Sequence, residues 1–460
     1  MSISAKLILP LIKRVIPYLP LLPTPLLSLP PTLLLHLSSH PSPSATSFIS
    51  SSTTHPLHPP IIFTLIAIPV IYILGLISGN VSWVDRAWPF YTPFCTTLLV
   101  AWLWLNQDGV VYGHNLPRVG LMWALQLLWS TRLLSHALKR DFYNLRSEDY
   151  RYTAFRSLVP RPLFALVHLF VVAIAQPLLL LALSLPVHAV LTLPPSELAS
   201  TGGYNLKWKT VKGFLPSRFD EVGSGSAGDD TPVLNLSDLA VFVLAVACLY
   251  VEWRTDREMY KYQSSKHSIL DQAKANNNPT STATVAPSDS SGSTLPKIYR
   301  PSKLSDKKAQ DGKPQPSPYP LSHHPGFPTR GRWRWSRHPN FAAEQLFWVT
   351  QALIVVGGAR SSGVTRRGWG AGAGSVFGPC FALSILFCAS TFLTEWITSR
   401  KFPAYKPYRR LVGQFVPQET AWVWLWGTIT RGRARDLKAV YEVPQLDEDA
   451  GTIDGPSIRR

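Results

Sequence analysis

Cysteine and acidic side chains are scarce in this 460-residue chain, which has 4 Cys and 27 Asp and Glu against 45 Lys and Arg, a formal net charge of +18. Cys95, Cys248, Cys380 and Cys388 stand in apolar stretches with no CxxC pair and no nearby histidine set. That pattern excludes a disulfide framework and offers no metal centre, so the four read as small hydrophobes in packed helices. A soluble nucleotide fold is unsupported too. The glycine-rich "GWGAGAGSVFG" runs into an apolar helix instead of following a strand. The basic residues are not interleaved with exposed aromatics in one compact domain, which argues against a nucleic-acid partner.

Charge is also missing from long blocks of the chain, and this absence is the most informative. A soluble protein distributes its apolar residues on helical or strand periodicities; here they come in long runs with at most one charge each, such as Arg132, and nearly all Lys and Arg lie between them. Runs at 61–79, 90–105, 121–138, 163–190, from 239, 341–356 and 376–396 predict an all-α, polytopic transmembrane bundle of about seven spans. The bilayer is therefore the first expected partner. Residues 1–60 hold Pro10, Pro17, Pro20, Pro23, Pro25, Pro30 and Pro31 and read as a poorly ordered or targeting-related extension before the spans of 61–262. Residues 263–320, rich in Ser, Thr, Pro, Asn and Lys, read as a disordered insertion between the fifth and sixth spans. A C-terminal membrane domain at 321–417 and a tail at 418–460 complete the division.

Cytosolic loops carry excess Lys and Arg, which places the stretch from Lys139 to Arg161 in the cytosol together with the basic segment after the fifth span. The Arg360 to Gly370 loop conflicts with strict alternation, since it is basic yet falls on the opposite side. Asn80 and Asn235 begin N-x-S triplets, but both adjoin a span.

Three clusters could carry chemistry. Glu252 and Asp256 are four apart and share one helix face, either as a charged helix end at the headgroups or as part of a site. "GRWRWSRHPNFAAEQLFW" (Gly331 to Trp348) brings Arg337, His338, Asn340 and Glu344 to the start of the sixth span. There Pro339 fixes an extended approach, Asn340 can cap the helix, and Glu344 already lies in the apolar register. "EWITSRKFPAYKPYRRLVGQFVP" (Glu395 to Pro417) alternates Lys401, Lys406, Arg409 and Arg410 with Tyr405 and Tyr408. Such a pattern suits a headgroup anchor, and equally the phosphates and base of a dinucleotide.

Taken in order, "EWRTD", "SRHPNFAAE" and "KFPAYKPYRRLVGQFVP" resemble the C-terminal region of the steroid 5α-reductase-like membrane family, closest to the branch named domain of unknown function 1295. The segment "RDFYNLRSEDYRY" is similar to an acidic and aromatic stretch of that branch. The resemblance implies NADPH held between C-terminal helices, reduction of a carbon-carbon double bond conjugated to a carbonyl in a lipid-like substrate, and residence in the endoplasmic reticulum. It implies cofactor contacts at Glu252, Asp256, Asn340, Glu344 and Tyr405, with Arg337, His338, Lys401 and Arg409 close enough to neutralise phosphates. The family's carbonyl-polarising acids match nothing here, so the catalytic residues stay open, and among the cofactor contacts Glu252 stands where Asn is usual. Two other readings compete: an isoprenylcysteine methyltransferase-like enzyme using S-adenosylmethionine, and a non-enzymatic protein that keeps the fold. A methyl donor has no pyrophosphate, and the density of Lys and Arg in the last motif favours NADPH over it.

Overall fold

In a computed structural model of the full chain, the described residues are 23–39, 43–51, 53–106, 113–193, 206–211, 213, 232–277, 298–299, 317–361, 369–429 and 433–443. They are almost entirely helical. The labelled helices are α1 (Pro23–Ser39), α2 (His58–Ser78), α3 (Trp83–Leu105), α4 (Leu116–Lys139), α5 (Arg161–Leu191) and α6 (Leu236–Asn277). They continue with α7 (Pro339–Ser361), α8 (Trp369–Lys401), α9 (Tyr405–Leu411), α10 (Pro417–Ile429) and α11 (Arg433–Tyr441). Two short antiparallel pairings, Leu206–Lys207 with Pro232–Leu234 and Ile298–Tyr299 with Tyr319–Pro320, are the strands among the described residues.

Among the described residues, five helices are long and apolar enough to cross a bilayer: α2, α5, α6, α7 and α8. The protein is an all-α polytopic membrane protein. The remaining two expected spans fall on α3 and α4, of 23 and 24 residues. Both are long enough, but Asp85 and Arg86 open α3, while Arg118, Arg132 and Lys139 lie on α4. On α2 the sequence sets both ends. Pro59 and Pro60 occupy its first turn, where a missing N–H leaves no bond unmade, and Gly79 closes it at φ +65° in the left-handed region. Leu65, Ile66, Val70, Ile73, Leu76 and Ile77 remain exposed on α2, a surface that suits lipid and not water.

The chain divides into two compact units: 1–149 with 161–250 and 344–386, and 150–160 with 251–343 and 387–460. Polar side chains on apolar helices hold the first together. Thr96 donates to Gln126 (2.7 Å), Trp123 to Thr97 (2.9 Å), and Thr92 to the Leu180 carbonyl (2.7 Å), tying α3 to α4 and α5. Arg118 of α4 grips Asp238 of α6 with two bonds of 3.0 and 2.8 Å, both side chains buried. Trp129 lies edge-on to Trp348 at 5.1 Å. Asn80 is buried and donates to the carbonyls of Leu145 and Ser147, while Glu148 accepts from the Val81 amide. That triplet asparagine thus fastens the acidic, aromatic stretch after α4 to the start of α3.

In the second unit, Tyr319, Phe327, Phe402, Tyr405, Tyr408, Leu411, Val412 and Val440 form the core. Gly326, at φ +101°, lies so close to Phe402 that a Cβ would collide with its ring.

Two expectations need correction. The insertion does not begin at 263, because α6 continues to Asn277. Its last turns are polar but consist largely of helix-compatible residues such as Lys, Gln and Ala, and they are anchored where Tyr262 donates to the His323 carbonyl (2.6 Å) and Lys266 to that of Gly326 (3.1 Å). Most of the rest of 263–320 lies outside the described residues. The proline-rich extension, likewise, is helical over Pro23–Ser39 in spite of Pro30 and Pro31. Residues 362–368 of the Arg360 to Gly370 loop lie outside the described residues, as do residues 1–22.

Candidate functional site

The second unit draws two of the three sequence clusters onto one buried carboxylate. Residues 336–338 run alongside 412–414: the Arg337 amide donates to the Gly413 carbonyl (2.9 Å) and the His338 amide to that of Gln414 (3.0 Å). Pro339 then opens α7. This extended approach is what the residues before a proline favour. It places the Arg337 and His338 side chains against α8, where Glu395 is 3% exposed. Glu395 Oε1 accepts from Arg337 Nε (2.7 Å) and lies 3.0 Å from His338 Nε2, while Oε2 pairs with Arg409 Nε at 3.1 Å. Arg337 also donates through Nη1 to the carbonyls of Val412 and Arg409.

Two permanent cations therefore surround one carboxylate, and they differ in exposure. The Arg337 side chain is buried and spends its donors on Glu395 and main-chain oxygens; the Arg409 side chain is 46% exposed. Arg337 and His338 thus order the site, and Arg409 can present charge outward.

Asn340 Nδ2 donates to Asp256 Oδ1 at 3.1 Å, joining the start of α7 to α6. One turn earlier on α6, Glu252 is fully buried. Tyr405 is buried on α9 among Phe327 and Tyr408, with ring centroids 4.9 and 5.6 Å away. Burial first, and then the Glu395 charge, push its hydroxyl well above the ordinary phenol range, so it stays protonated at neutral pH. Lys401 Nζ lies over the Tyr150 ring at 5.6 Å, and its carbonyl accepts from the Ser317 amide. Glu344, partly buried, belongs to the other unit.

Sequence reasoning passed over Glu395, which formed the edge of the third motif. The signal was an ionisable residue inside an apolar run directly ahead of a basic cluster. It also passed over Lys266, buried at 7% exposure with its ammonium over the Phe402 ring at 5.3 Å. That lysine stood in the stretch read as disordered. The four cysteines form no disulfide, Cys95, Cys248 and Cys380 are buried and Cys388 is exposed, and no cluster among the described residues could hold a metal ion.

An uncharacterised protein of the fission yeast Schizosaccharomyces pombe is 27% identical over 358 residues, covering 75% of this chain and 78% of its own length. No solved structure matches at a significant level. Residues 71–203 and 222–412 match the family described as protein of unknown function DUF1295. The matched region includes Glu252, Asp256, the Arg337–Asn340 segment, Glu395 and Arg409, and the chain is a member of the DUF1295 family.

Proposed function

We propose that this protein is a membrane-embedded, NADPH-dependent reductase of a conjugated carbon-carbon double bond in a lipid-like substrate, in the endoplasmic reticulum. The observation that carries the reading is the excess of cation around Glu395, with Arg337 buried and fixed and Arg409 half exposed. Arginine forks suit phosphate geometry, and NADPH carries a pyrophosphate and a 2′-phosphate, whereas S-adenosylmethionine carries neither. The resemblance of the three motifs to steroid 5α-reductase-like proteins supports the same choice.

In this reading Arg409 and Lys401 face the phosphates, and Arg337 and His338 are positioning residues acting through Glu395. Asn340 and Asp256, already bonded to each other, offer a donor and an acceptor suited to sugar hydroxyls. Glu252 belongs to the set on resemblance alone. NADPH, when bound, supplies a hydride to the carbon β to the carbonyl. Tyr405, protonated at neutral pH, can donate a hydrogen bond to a carbonyl whose oxygen gains charge as the hydride arrives. The aromatic side chains around it exclude water.

The test is hydride transfer from deuterium-labelled NADPH into membrane lipids incubated with the purified protein. A lipid product that has gained one deuterium at carbon and one solvent proton supports the reading. Transfer of a methyl group from S-adenosylmethionine under the same conditions, with no deuterium incorporation, replaces it with the methyltransferase reading.

A further inference from the structure

α10 is a short helix with one side fastened to the protein and another turned outward. Its polar residues fasten it to the protein: the Glu419 carboxylate accepts from the amides of Gln414 and Phe415, Thr420 accepts from the Gly413 amide (2.8 Å) and donates to the Trp335 carbonyl (2.6 Å), and Trp424 Nε1 donates to the Leu411 carbonyl (2.9 Å). Three of its large apolar residues point away. Trp422, Leu425 and Trp426, spaced three and four apart on one stripe, are 66%, 60% and 61% exposed. Two tryptophans facing water would be a large apolar patch on a helix whose polar side is already committed.

Length, charge and a cavity identify what covers the stripe. At 13 residues α10 is about 20 Å long, too short for a hydrocarbon core of about 30 Å, so it cannot cross a bilayer but can lie in its surface. Arginines flank the tryptophans: the guanidinium groups of Arg334 and Arg433 both lie 5.4 Å from the Trp424 ring centre. Arg410, Arg433 and Arg435 line a cavity of about 620 Å³ together with Trp422, Trp424 and Trp426. Arg410 is held by Asp436 in a two-bond pair of 2.8 and 2.6 Å. Arg435 is exposed and makes no ion pair among the described residues, and the buried Arg433 Nε has no hydrogen-bond partner among them. Cations beside a tryptophan pair match the region where acyl chains meet phosphate headgroups.

We propose that α10 lies in the plane of the bilayer surface, with Trp422, Leu425 and Trp426 among the upper acyl chains, and that Arg433 and Arg435 bind the headgroup phosphate of an anionic phospholipid. The assignment does not depend on the reductase reading. In vesicles, such a helix would hold the C-terminal part of the chain against the membrane and favour phosphatidylserine over phosphatidylcholine.

The test uses the full chain in nanodiscs, with Cys388→Ser removing the exposed native thiol. Nitroxide labels go on Trp422→Cys, Trp426→Cys and, as a water-facing control, Lys438→Cys. The proposal expects labels at 422 and 426 to collide more with oxygen than with a water-soluble nickel chelate, and the label at 438 to do the reverse. Greater nickel access at 422 and 426 overturns it, as does shielding from both reagents with dipolar coupling between copies, which would make the stripe a dimer interface. The headgroup claim is read with spin-labelled lipids. Several-fold selectivity for phosphatidylserine, lost in the double variant Arg433→Gln and Arg435→Gln, supports it. No selectivity overturns it, and selectivity abolished by inorganic phosphate at physiological concentration reassigns the cavity to a free anion.

Discussion

Arg337 and Glu395 are 58 residues apart in the chain and meet as a buried ion pair, Nε to Oε1 2.7 Å. Through Arg337 the carboxylate on α8 is joined to the main chain of residues 409 and 412, so one side chain ties together the start of α7, the end of α8 and α9. Removing one partner of a buried pair leaves the other charge without compensation. Glu395→Ala should cost about 3–5 kcal/mol and lower the unfolding temperature in detergent by several degrees. An unchanged unfolding temperature would remove Glu395 from the centre of this unit.

How much of this was legible in the residues depended on the kind of signal. Long apolar runs with at most one charge each announced α2, α5, α7 and α8 because the bilayer permits few other solutions. Arg337, His338 and Arg409 were conspicuous as a basic cluster. Their convergence on Glu395 was not, since it arises from tertiary pairing of residues 336–338 with 412–414, which no local pattern encodes. The last turns of α6 were misread because polar composition says little about a segment anchored through two side chains, Tyr262 and Lys266.

Gly326 has a positive φ and lies against Phe402. Gly326→Ala should combine backbone strain with a clash, costing about 1–3 kcal/mol. Differential scanning fluorimetry of the purified variant checks this; a wild-type melting curve would show that the loop can move away from Phe402.

His323 and His324 sit below the ordinary histidine range because burial disfavours their charged form, helped at His323 by the nearby Lys266 ammonium and opposed at His324 by a hydrogen bond to the main chain of Ala439. The unfolded chain therefore binds protons more readily than the folded one below about pH 6.5. Their contribution is complete above that pH and is lost as pH falls through the folded values. Thermal stability should drop between pH 7.5 and 5.5, and His323→Gln with His324→Gln should flatten the slope. An equal slope in that variant would assign the acid sensitivity to other groups.

Asn340 and Asp256 are proposed to meet sugar hydroxyls of the cofactor. Asn340→Ala removes one donor from the protein surface without burying a new charge, so it should weaken NADPH binding about tenfold, the worth of one good hydrogen bond. Isothermal titration calorimetry in detergent measures the change, and unfolding temperature measured alongside separates lost binding from lost folding. Unaltered affinity would take the pair out of the cofactor site.

The central claim is that the cationic surface built on Glu395 accepts a phosphate-bearing dinucleotide. Its most direct test is a titration of the purified full chain in detergent with NADPH, and separately with S-adenosylmethionine, in the wild type and in Arg409→Gln, whose side chain is 46% exposed, with the unfolding temperature read alongside because Arg409 also pairs with Glu395. Saturable NADPH binding that weakens at least tenfold in Arg409→Gln, with no binding of S-adenosylmethionine, is the predicted result. Saturable binding of S-adenosylmethionine alone, or of neither ligand by a folded wild-type protein, contradicts it.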